Sequence, residues 1–175
     1  TDSEIAAVDS RSNLTDRVIN NATNPEYLPE EFKPMTAELG VGEAVYKGSL
    51  SNGRWFPTHS GNFSFNVNMN SGLVTNFSAN IERNGGSRGS LEVRQSGVMS
   101  IDNNGVFQSN PGDLEFRSES GRWGNSYSGA NETNSSLRGE IGRRPDLDLD
   151  IRNNSNHSIV DLDGRGISCQ GDCRR

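Results

Sequence analysis

The fold is decided by Asn62-Phe63-Ser64-Phe65-Asn66-Val67-Asn68-Met69, the turn Asn70-Ser71-Gly72, and Leu73-Val74-Thr75-Asn76-Phe77-Ser78-Ala79-Asn80-Ile81. In the first arm Phe63, Phe65, Val67 and Met69 alternate with polar residues. In the second, Leu73, Thr75, Phe77, Ala79 and Ile81 keep the same parity. A period of two puts one set of side chains on a core face and the other in water, and two such arms around a short Gly-containing turn predict a β-hairpin.

The same rhythm recurs in shorter runs. Leu91 with Val93, Val98 to Ile101, Val106-Phe107, Leu114 with Phe116, Leu137 with Ile141, and Leu147-Leu149-Ile151 each read as a strand. Asn52-Gly53, Asn84-Gly85 and Asn104-Gly105 fall between them and suit tight turns that need positive φ. The spacing predicts an all-β protein, an antiparallel up-and-down barrel of about eight strands. Residues 1–41 differ. Ser12 to Ile19 predicts one or two helical turns, and Pro25, Pro29 and Pro34 hold the rest of the arm extended. The chain therefore divides into an N-terminal helical and extended arm (1–41), a barrel core (42–142) and a C-terminal extension (143–175) packed on or completing the barrel.

Composition narrows the function. Of 175 residues only 30% are hydrophobic, too few and too scattered for the buried parallel strands of a dinucleotide-binding enzyme. No apolar stretch approaches the ~18 residues of a membrane-spanning helix. A net charge of -6 argues against nucleic acid, whose phosphates need a surplus of cations. The two cysteines, Cys169 and Cys173, are expected to form a small disulfide loop in an oxidising compartment. That expectation places the protein outside the cytoplasm, at a cell surface or in a periplasm.

Several motifs resemble those of a known family. Gly42-Glu43-Ala44-Val45-Tyr46-Lys47-Gly48 resembles the G-x-A-x-Y-x-G opening strand of the barrel domain in transferrin-binding protein B and related bacterial surface lipoproteins. The hairpin from Asn62 to Ile81 resembles the next pair of strands there. Gly121-Arg122-Trp123-Gly124-Asn125-Ser126-Tyr127-Ser128-Gly129, with Leu137 to Gly142, is similar to the closing pattern. The likeness spans residues 42–142; the closing segment departs in carrying Tyr127 and Ala130, and the residues after Gly142 have no counterpart. The resemblance implies a displayed barrel that binds a partner, in some relatives a host iron or haem carrier, and catalyses nothing.

The candidate partner-binding residues are Arg54, Trp55, Phe56, His59 and Tyr127, aromatic or cationic groups in turn-rich sequence where hot-spot residues collect. Trp123 reads as a core residue closing the barrel. Asp146, Asp148, Asp150, Asp161 and Asp163 form an acidic cluster. They are either oxygen ligands of Ca²⁺ or the wet side of an alternating strand with Leu147, Leu149 and Ile151 inward. His59 and His157, the two histidines, are the candidates for a haem ligand. No G-x-S-x-G elbow or C-x-x-C pair points to catalysis. The expectation is a non-enzymatic exported module with a protein partner, its alternative a calcium-stabilised structural or adhesin module of the cell envelope.

Overall fold

The computed structural model describes residues 41–85, 89–120, 126–142 and 145–173. The arm before residue 41, with its expected helical turns, and Trp123 lie outside the described residues. Among the described residues ten strands run in chain order: β1 (Glu43–Ser51), β2 (His59–Asn68), β3 (Leu73–Arg83), β4 (Gly89–Gln95), β5 (Met99–Ser100), β6 (Val106–Gln108), β7 (Leu114–Ser120), β8 (Ser136–Glu140), β9 (Asp146–Arg152) and β10 (Ser158–Gly171). No helix occurs among the described residues.

Every pairing is antiparallel, in the order β6-β8-β9-β10-β1-β2-β3-β4-β7, with β5 joined to one end of β3. The sheet curls into a half-barrel of about nine strands. Its outer members, β6 and β7, do not pair with each other. A turn segment between β7 and β8 reaches across instead. The Glu132 carboxylate accepts the Phe116 N–H of β7 at 2.5 Å, the Asn131 N–H donates to the Arg152 carbonyl at 2.7 Å, and Ala130 bridges Asn153. Residues 146–171 supply β9 and β10, which stand between β8 and β1, so the sheet runs on well past Gly142.

The core arises from the alternation. Ala44, Tyr46 and Leu50 of β1 point inward with Phe63, Phe65 and Val67 of β2 and Leu147, Leu149 and Ile151 of β9. Phe65 is the hub. Its ring lies 5.3 Å from Tyr46, 6.0 Å from Phe63, 6.5 Å from Phe77 and 5.1 Å, edge to face, from Phe107. Each such side chain contributes about 1.5–3 kcal/mol by leaving water, and the rings add offset and edge contacts. Two glycines make room for them. A Cβ on Gly48 would stand 2.4 Å from Phe63 Cζ, and one on Gly139 would stand 2.3 Å from Phe107 Cζ.

The alternation read for the second arm of the deciding hairpin fails over its first half. Val74, not Leu73 or Thr75, is buried; Leu73 is 40% exposed. The cause is a register shift opposite Ser64 to Asn66 and a left-handed Asn76 at φ 56°. One extra residue at a bulge flips the parity of everything before it. Here β3 leaves β5 for β4, and the Gln95 amide fills the break by accepting from the Phe77 N–H and donating to the Val74 carbonyl.

Candidate functional site

The loop between β1 and β2, residues 52–58, stands at one rim. Its base is tied by side chains that suit turns. Asn52 accepts the His59 N–H through Oδ1 at 2.9 Å and donates through Nδ2 to Thr58 Oγ1 at 2.7 Å. From β3's end, Asn84 donates its backbone N–H to the Thr58 carbonyl and its amide to the Pro57 carbonyl. Two segments therefore hold the loop's descending limb. At its tip Trp55 is 79% exposed and Phe56 94%. The Arg54 guanidinium carbon sits 6.0 Å from the centre of the Trp55 ring, at the reach of a cation–π contact.

His59 and Tyr127 belong elsewhere. Tyr127, grouped above with the exposed aromatics, is 1% exposed, and His59 is buried as the first residue of β2. Their rings meet edge-on at 5.6 Å. The turn that carries Tyr127 folds over the open side of the half-barrel and puts the ring into the core. Burial first, then the charge of Arg83, holds the His59 pKa below its ordinary value. Its Nδ1 lies 3.0 Å from Thr58 Oγ1. The imidazole is thus a packed, neutral ring and does not present itself to a porphyrin. His157 is exposed in the β9–β10 turn, where its backbone N–H donates to Asn153.

The acidic residues stand outward on β9 and β10, with Asp150 opposite Asp161 and Asp148 opposite Asp163. Arg152 and the Ser158 hydroxyl, each at 2.7 Å, hold Asp150. Asp161 hydrogen-bonds Asp148. That bond, then burial, then the neighbouring carboxylates push the Asp161 pKa up to about 7. Asp161 thus keeps its proton well above the ordinary carboxylate range. Among the described residues no group of three or more His, Cys, Asp or Glu side chains is arranged to hold a metal ion. The ladder spreads these acids along two strands and does not gather them around a point.

Cys169 and Cys173 are disulfide-bonded. Among the described residues no helix is long and apolar enough to cross a membrane. Two concavities flank the aromatic loop's end of the sheet. One, about 440 Å³, lies among Glu82, Arg83, Asn84, Gly85, Gly89, Ser90, Glu119 and Ser120. The other, about 490 Å³, runs down the outer wall along β1 and β10 beside Arg54. Sequence reading missed both. The first depends on Ser90 lying across from Glu119 and the second on Ser49 lying across from Arg165, pairings between residues far apart in the chain that leave no local pattern.

The geometry defines a class: a curled antiparallel sheet that carries a pinned loop with two solvent-facing aromatics. Comparison with protein-family models, with curated proteins and with solved structures gave no match for the chain.

Proposed function

We propose that the chain is a non-enzymatic exported binding module that engages a protein partner through Arg54, Trp55 and Phe56. One observation carries this reading: two adjacent large aromatics stand in water on a loop whose base is hydrogen-bonded into the sheet. Exposing them is unfavourable in the free protein, and burying Trp and Phe against a partner recovers that area. A loop already held in shape loses little further freedom on binding. The disulfide supports an oxidising, extracytoplasmic setting. The resemblance to the transferrin-binding protein B barrels directs the search for the partner to host iron and haem carrier proteins. Titrating the ¹⁵N-labelled chain with transferrin and with haemoglobin, while tracking the Trp55 indole N–H, tests the reading. Saturable shifts centred on residues 54–56 support it, and shifts confined to another face refute it.

A further inference from the structure

We propose that the groove on the outer wall beside this loop binds a carboxylated saccharide. The inference rests on the reading of the Arg54–Phe56 loop as a binding element and adds a second ligand class next to it. The groove is lined by Ser49, Ser51, Gly53, Arg54, Asp163 and Arg165. Its volume of about 490 Å³ falls within the ~300–1,000 Å³ typical of small-ligand sites. Register builds it. Ser49 stands directly across from Arg165, and Ser51 across from Asp163, so β1 supplies hydroxyls and β10 supplies charges on the same outer face.

The charges there have no partners of their own. Among the described residues neither guanidinium of the groove nor the Asp163 carboxylate makes an ion pair or a hydrogen bond, with Asp146 across from Arg165 and Asp148 across from Asp163 in the neighbouring strand. Two unpaired guanidiniums offer the forked donors that fit a carboxylate. Asp163 can only accept at neutral pH, so it needs a hydroxyl donor, and the Ser49 hydroxyl works in either sense. Trp55 does not line the groove itself, but its exposed ring, a flat apolar face, is centred 6.0 Å from the guanidinium carbon of Arg54, which does. A carboxylate, neighbouring hydroxyls and a ring with an apolar face are together the chemistry of a sugar acid. An acidic peptide would also use the two arginines, but it lacks the sugar's array of hydroxyls and would bring further carboxylates against Asp163.

The test titrates the whole chain with tri-galacturonic acid, with neutral maltotriose and a hexaglutamate peptide alongside. The expected result is a saturable shift of the Trp55 indole N–H with tri-galacturonic acid only, weakened by added salt. Arg165→Ala and Asp163→Asn should each weaken it at least tenfold with the melting temperature unchanged. Arg165→Ala should leave carrier-protein binding through Trp55 and Phe56 intact, because Arg165 lies on β10 and not on the loop. No saturable binding, equal binding of maltotriose, or tighter binding of the peptide would overturn the groove inference. Saccharide binding without any protein partner would overturn the loop reading and leave the groove standing.

Discussion

The ring of His59, the first residue of β2, meets the ring of Tyr127 edge-on with 5.6 Å between centroids and 65° between planes. This contact joins the strand after the aromatic loop to the turn segment that spans the open side of the half-barrel. Tyr127 is therefore structural, and the tip aromatics of the loop are not. Tyr127→Ala is expected to cost about 3–5 kcal/mol, the usual range for emptying a large aromatic site in a core. Trp55→Ser is expected to stay within about 0.5 kcal/mol of the parent. Urea unfolding of the two variants checks the contrast.

The same pair gives a pH dependence. Because the folded-state pKa of His59 is depressed, the native form binds fewer protons than the unfolded chain as pH falls below the ordinary value of 6.5. The stability due to neutral His59 is complete above that value and is lost as pH falls toward the folded pKa. Melting temperature should drop on acidification through this window, and His59→Gln should remove the step.

Asp161 acts in the opposite sense. Its pKa is raised from 3.8 to about 7, so the folded state holds a proton that the unfolded state has released. The contribution is present below about pH 4 and is lost as pH rises to about 7. Asp161→Asn keeps a hydrogen-bonding amide beside Asp148 and removes the repulsion. At pH 8 it is expected to raise the melting temperature by about 1–3 °C, a shift scaled to a solvent-screened surface pair. It also provides the background in which the His59 step is read alone.

Calcium separates the two readings of the acidic ladder. With Asp150 held by Arg152 and Ser158, and Asp148 hydrogen-bonded to Asp161, no open set of carboxylates faces one point. Millimolar calcium or EDTA should leave the melting temperature unchanged. A rise with calcium that EDTA reverses would restore the calcium-stabilised module.

Gly139 tests the core. A methyl there meets Phe107 and the Leu147 side chain, so Gly139→Ala should destabilise by about 1–3 kcal/mol through overpacking. Phe107→Leu in the same chain should recover part of that loss. A purely additive double variant would show that the Phe107 ring is not what the glycine accommodates.

What the sequence disclosed tracks the range of the interactions involved. The strand of Phe63, Phe65 and Val67 was legible because period-two burial is written in adjacent residues. So was the strand of Leu147, Leu149 and Ile151 with its acids outward. Val74 was not legible, because the parity of β3 depends on a bulge at Asn76 whose repair comes from Gln95, nineteen positions away. Tyr127 misled for a related reason: a turn-rich segment looks exposed until the sheet leaves an open side for it to cover. Trp55 and Phe56 stood out as candidates beside Arg54, but their exposure was settled by Asn52 and Asn84, which pin the loop outward. The groove of Arg54, Asp163 and Arg165 needed β10 beside β1, a pairing between the two ends of the sheet-forming chain.

The most direct test of the binding loop is the double variant Trp55→Ser/Phe56→Ser, melted and titrated with the carrier protein that the parent binds. The account predicts a melting temperature within about 2 °C of the parent and at least a hundredfold loss of affinity, as expected for two hot-spot aromatics. Retained affinity, or a large fall in melting temperature, would contradict it.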